Sequence, residues 1–157
     1  MTSIADRKAR AVADTAEGCL LASVELAASP ERVFQALASP EVTGWWVRTG
    51  VFDTQEWTGD VRAGGRWRAR GTARGQPYVL EGEFLEIDSP RKLVHTWHRG
   101  GTPNTPTTVT CILERTAGGT RVTLRQAGFT SPETCTNTAI GWETSFDRLA
   151  ETLAPEA

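Results

Sequence analysis

The sequence predicts an α+β fold: a curved antiparallel sheet of six to seven strands around one long C-terminal helix, with two short helices after the first strand. Three observations predict it. Ser-Pro-Glu recurs in ASPERV (28–33), ASPEVT (38–43) and TSPETC (130–135), a helix start used three times. Serine at the N-cap accepts from an orphan N–H, proline at N1 has no N–H to waste, and glutamate in the first turn faces the positive end of the helix dipole. Between the second and third of these starts, short alternating apolar runs are separated by turn residues, as in strands joined by hairpins. After the third start, Ala139, Trp142, Phe146, Leu149 and Leu153 fall at three- and four-residue spacing and form one apolar stripe.

Taken in order, residues 1–18 read as an N-terminal extension and 19–157 as a single domain. Within the extension the polar, Ala/Arg-rich stretch 3–15 predicts a marginal helix. CLLASVELAA (19–28) is the first strand, and the two short helices follow at about 30–38 and 40–45. TQEWTGDV (54–61) and RAGGRWRARG (62–71) pair across Gly64-Gly65. PYVLEGEFLEI (77–87), KLVHTWH (92–98), TTVTCILERT (107–116) and TRVTLRQAGF (120–129) complete the strands. DSPRK (88–92) lies between two of them and reads as a turn. The long helix spans about 132–153, and Gly141 inside it suggests a close approach by another element.

Parity selects the inward faces: Ala22, Val24, Leu26; Trp57, Gly59, Val61; Trp67, Ala69; Leu93, His95, Trp97; Val109, Cys111, Leu113; Val122, Leu124. Arg66, Arg68, Arg70, Arg121, Thr123 and Arg125 then face water. A bent sheet wrapped on one helix rarely fills its interior, so a concave apolar cavity between them is expected.

Composition narrows the function. The chain is long enough for one sizeable core, with 39% hydrophobic and 23% charged residues and a net charge of -2. Nothing there pulls it toward nucleic acid. Cys19, Cys111 and Cys135 form neither a metal pattern nor a disulfide framework, which favours a reducing cytoplasm. No apolar run has the length of a signal peptide core or a membrane span. RAGGRWRARG has neither the phosphate-loop nor the dinucleotide spacing, and it joins two strands where those motifs need a helix start. Its arginines share a solvated strand face without interleaved aromatics, unlike a single-strand nucleic-acid platform.

Four stretches, SPERVFQALASPEVTGWW (29–46), EWTGDVRAGGRWRARG (56–71), GEFLEIDSPRKLVHTWH (82–98) and GWETSFDRLAETL (141–153), carry a resemblance over nearly the whole chain after about Leu20. The order of elements resembles the helix-grip fold of the SRPBCC, or START-like, superfamily, shared by lipid-transfer START domains, the birch-pollen-allergen family and bacterial polyketide cyclases. Within it the local text is similar to the family of activators of the heat-shock-protein-90 ATPase, in its bacterial stand-alone form. The resemblance implies a partly open space between sheet and long helix. It implies a binding domain for a small apolar or aromatic ligand. Its alternatives are a polyketide cyclase/dehydratase-type enzyme and a chaperone or stress-response interaction module.

The candidate cavity residues are Trp46, Trp67, Phe84, His95, Trp97, Cys111, Trp142 and Phe146. Tryptophans are large, rigid surfaces that serve a core or a binding site equally well. In TGWWVRTG (43–50), neighbouring Trp45 and Trp46 cannot share a face. One anchors the short helices, and the other, assigned here to Trp46, faces the open end. His95 and His98 differ in parity, which removes them as a metal pair. His95 points inward, either as a satisfied core histidine or as a weak candidate for general base or ligand-orienting group. Arg125 is a second polar anchor should it turn inward, and Glu81 and Glu83 share one parity as possible proton-transfer groups. Cys111 reads as a small buried hydrophobe, and Cys135 sits in a first helical turn, a position that can lower a thiol's pKa. No cofactor, metal, nucleic acid or membrane partner is expected, and the chain is expected to be a cytoplasmic monomer or homodimer.

Overall fold

The computed structural model describes residues 9–100 and 106–154. Among these residues twelve elements follow one another: β1 (Arg10–Asp14), β2 (Cys19–Leu26), α1 (Pro30–Leu37), α2 (Val42–Trp45), β3 (Val47–Arg48), β4 (Phe52–Gly59), β5 (Arg66–Ala73), β6 (Gln76–Asp88), β7 (Lys92–Arg99), β8 (Thr107–Thr116), β9 (Gly119–Ala127) and α3 (Pro132–Thr152). The strands form one sheet in the order β1-β2-β9-β8-β7-β6-β5-β4-β3, antiparallel at every step. Among the described residues only the β2–β9 pairing joins distant parts of the chain; β3 to β9 are successive hairpins. The sheet curls into a half-barrel, and α3 touches β1 and β2 at one edge and β3 at the other, so the helix closes the opening.

Nine strands replace the expected six to seven, through the added β1 and β3. The expected N-terminal helix is corrected over residues 10–14, which form β1; residues 3–8 lie outside the described residues. Alanine favours a helix locally, but RAVAD alternates, and partners distant in sequence decide the outcome. Ala9 and Ala11 donate their backbone N–H groups to Asp147 Oδ1 (3.1 Å) and Glu143 Oε2 (3.0 Å) on α3. Those two carboxylates stand one helical turn apart and match the strand's alternate N–H groups.

Two of the Ser-Pro-Glu starts cap as expected. Ser29 Oγ accepts from Arg32 N and Ser131 Oγ from Thr134 N, each at 3.2 Å. The middle one does not. Ser39 Oγ accepts from Glu41 N at 3.2 Å within a turn, and α2 starts only at Val42, with no side-chain cap. DSPRK is a turn with a cis Ser89–Pro90 bond, and Arg91 N donates to Asp88 O. Gly141 meets no forced approach: a Cβ there would lie 3.8 Å from Trp46 and 3.9 Å from Phe52, ordinary contact distances.

The inward parity places Leu93, Val109, Val122 and Leu124 at 0–2% exposure, with Phe84, Phe146 and Leu149 against them. Each such side chain contributes roughly 1.5–3 kcal/mol through burial. Val61 departs from the parity at 39% exposure, because the chain has left β4 by then.

Candidate functional site

Four indoles converge under α2, and three local devices hold them there. Trp45 ends α2, and its indole N–H donates to Ala36 O of α1 at 2.9 Å, tying the two short helices together. Trp142 on α3 donates to Gln126 Oε1 (2.8 Å); Gln126 Nε2 donates to Thr107 Oγ1 (2.8 Å), which in turn donates to Trp97 O (3.0 Å). This buried relay fixes α3 against β7, β8 and β9, with each of its side-chain polar atoms in a hydrogen bond. Trp46, the C-cap of α2, then lies 4.6 Å from Trp142, 5.2 Å from Trp97 and 5.4 Å from Phe52, centroid to centroid.

The third device is a gap in the β6–β7 pairing. The β6–β7 ladder skips the pairs Gly82–Trp97 and Glu83–Thr96: Glu83 N donates to Thr96 Oγ1 (2.8 Å) instead of to a carbonyl. The freed Thr96 carbonyl accepts from Trp67 Nε1 at 3.1 Å and meets His95 Nδ1 at 3.1 Å. Gly82 makes this possible, since a Cβ there would overlap the Thr96 carbonyl oxygen. The ring of Trp67 is thereby held 5.3 Å from His95 and 5.8 Å from Trp97.

These rings border a pocket of about 50 Å³ between the sheet and the two short helices. Six of the eight candidate residues meet there: Trp46, Trp67, Phe84, His95, Trp97 and Trp142. Cys111 and Phe146 do not reach it. Cys111 is packed in the core, where burial pushes its thiol up to about 12 and leaves it inert. Phe146, fully buried, backs Trp142 at 5.3 Å. Trp45, Trp57, Ala69, Leu37, Val42 and Leu80 complete the lining. Sequence reading placed Trp57 and Ala69 inward without assigning them to a site, and treated Trp45 only as an anchor. Leu37, Val42 and Leu80 carry no signal that would separate them from ordinary core.

The lining contains no Asp, Glu, Lys or Arg. Its titratable group is His95, half-buried, whose desolvation lowers the pKa from the ordinary 6.5 to about 4 despite the Thr96 bond. The ring is therefore neutral at pH 7. A carbonyl only accepts, so Nδ1 carries the hydrogen and Nε2 presents a lone pair. The other polar candidates lie elsewhere. Arg125 is exposed, and Glu81, Glu83 and His98 are partly exposed and outside the lining. Cys135 does not show the lowered pKa that its first-turn position suggested. Its thiol is buried, donates to Cys19 O at 3.3 Å, and is raised by that burial. Among the described residues no three His, Cys, Asp or Glu side chains gather as metal ligands, and no helix is long and apolar enough to cross a membrane.

Solved structures share the fold. Protein Ms6760 from Mycobacterium smegmatis superposes with a TM-score of 0.79 at 20% identity, covering 94% of this chain and 98% of its own. Protein CV1439 from Chromobacterium violaceum gives 0.75 at 24% identity, covering 88% and 99%. Protein NE0264 from Nitrosomonas europaea gives 0.73 at 26% identity, covering 88% and 95%. No curated protein matches the chain. The family model described as "Activator of Hsp90 ATPase homolog 1-like protein" matches residues 27–154, from the end of β2 through α3, so every element that builds the pocket lies inside it. The curled sheet, the closing C-terminal helix and this match agree, and the chain belongs to that family.

Proposed function

We propose that the protein binds a small apolar or aromatic molecule in the tryptophan-lined pocket. The observation that carries this reading is the lining itself: six indoles and Phe84 around an uncharged space, with one imidazole as the polar group. Binding sites for small ligands combine an apolar wall with few convergent polar groups in this way.

At about 50 Å³ the pocket holds a few waters, whereas a benzene-sized ligand occupies a cavity of about 150 Å³. Binding therefore opens it, and Trp46 is the side chain that moves. Trp45, Trp67 and Trp142 are tethered through their indole N–H groups. Trp46, Trp57 and Trp97 make no such bond, and of these three only Trp46 sits at the end of a four-residue helix that lacks a side-chain cap, while the other two are held in strands. Three free cysteines support a reducing compartment, the cytoplasm.

The test is native mass spectrometry of freshly purified protein, followed by tryptophan-fluorescence titration with small aromatics, on the wild type and on Ala69→Phe. Ala69 is 3% exposed and lines the pocket, so the phenyl group fills it. Saturable quenching lost in a folded Ala69→Phe protein supports the reading; equal quenching in both refutes it.

A cyclase/dehydratase-type enzyme is the second reading, favoured by the unpartnered Nε2 of His95 in the same pocket. A conjugate acid near 4 makes that ring a weak base at pH 7, which weighs toward binding. The family's description names the Hsp90 ATPase; a chaperone-docking module would work through its outer surface, and Ala69→Phe would leave it intact.

A further inference from the structure

We propose that the ligand of this pocket is a neutral aromatic molecule carrying a hydroxyl or a similar hydrogen-bond donor, with that donor on His95 Nε2 and its ring among the indoles. The proposal rests on the ligand-binding reading and names the chemistry that reading leaves open.

Three features of the site select this class. First, the tautomer of His95 is held by the backbone. The Thr96 carbonyl accepts from Nδ1 and also from Trp67 Nε1, both at 3.1 Å, and it is spared from the ladder because the Thr96 hydroxyl takes Glu83 N in its place. Glycine at position 82 clears the space that this carbonyl occupies. Four residues on β5, β6 and β7 thus serve one outcome: an imidazole with its acceptor nitrogen fixed.

Second, that nitrogen has no protein partner and is not sealed in. His95 is half-buried and belongs to the pocket wall, not to the closed core. The ring lines the pocket, with Trp67 at 5.3 Å and Phe84 at 6.1 Å. A polar atom in such apolar surroundings gains more from a bound donor than it would in water.

Third, the charge balance excludes ions. An anion would meet a lone pair and no cationic side chain; a cation would lose its hydration with no carboxylate in the lining to replace it. Aromatic faces attract cations, yet Trp46, Trp97 and Trp142 turn faces and edges toward one another, at interplanar angles of 54–72°. A hydroxyl-bearing aromatic ring needs neither counter-charge.

The experiment is calorimetric titration of the full chain with phenol, toluene, benzoate and benzylamine at pH 7.5, on the wild type, His95→Phe and His95→Gln. Phenol and toluene have nearly the same shape and differ in the donor. The expected result is a phenol-over-toluene preference about fivefold to tenfold greater in the wild type than in His95→Phe, the size of one neutral hydrogen bond. His95→Gln, which keeps an acceptor oxygen, retains part of it. On the wild type alone, ¹⁵N NMR reads the histidine directly: phenol moves the Nε2 resonance and toluene leaves it in place.

Equal binding of phenol and toluene with Nε2 unmoved overturns the donor proposal and leaves the ligand-binding reading standing. Benzoate or benzylamine binding more tightly than phenol overturns it in favour of a charged ligand. If none of the four binds at millimolar concentration, both readings fall.

Discussion

Acidification destabilises this protein through His95, by an amount that follows from the burial of the ring. The unfolded chain takes up a proton on this imidazole near its ordinary 6.5, and the folded chain resists until about 4. Between those values the unfolded state binds more protons, so stability rises with pH across the window. The contribution is fully present above 6.5 and is lost as pH falls toward 4. At 1.36 kcal/mol per pKa unit the loss is about 2 kcal/mol at pH 5 and about 3 kcal/mol at pH 4. Urea unfolding of the wild type and His95→Phe at pH 7.5, 6 and 5 measures it, and the difference between the two removes the carboxylates and His98. The wild type should lose about 2 kcal/mol more than the variant between pH 7.5 and 5. Parallel losses would refute the reasoning, because the folded ring would then titrate normally and Nε2 would be no dependable acceptor.

Three further substitutions probe the supports of the site. Gly82→Ala drives a methyl group into the Thr96 carbonyl and to 2.6 Å from Trp67 Nε1; the urea midpoint should fall by the equivalent of about 2–4 kcal/mol, from overpacking and the bonds it breaks. Gly141→Ala should stabilise by about 0.5–1 kcal/mol in the same assay, since the helix gains propensity and the new Cβ finds ordinary contacts at 3.8–3.9 Å. Gln126→Leu orphans the Trp142 indole N–H in the core and should cost about 2–3 kcal/mol, with a change in near-ultraviolet circular dichroism from the freed indole.

The α+β class, the two capped helices and the seven long strands are legible in the sequence because each depends on local periodicity and local caps. The short strands are not. Ala11 and Ala13 suit a helix by propensity, and their strand geometry depends on pairing with β2 and on the bonds from Ala9 and Ala11 to Asp147 and Glu143, more than 130 residues away. At the site, parity identifies the face a residue occupies but not its depth along the barrel. Trp97 and Cys111 both point inward, yet only Trp97 borders the pocket. The Thr96 carbonyl is invisible to any side-chain pattern, since it is a backbone group exposed by a gap in the β6–β7 pairing where Gly82 leaves room for it. Trp46 shows both sides of this. Its difference in direction from Trp45 follows from adjacency alone, but its unbonded indole emerges only once its neighbours' hydrogen bonds are known.

The carboxylates of Glu143 and Asp147 on the first strand also bear on how copies of this chain meet. A β-sheet normally ends in unpaired amides that template a further strand from another molecule. Here the amides of Ala9 and Ala11 are already bound to α3. A strand arriving at β1 would have to displace two anionic side chains and face their charge. The contacts that seat the gripping helix thus also blunt this rim of the sheet as a seed for fibrils.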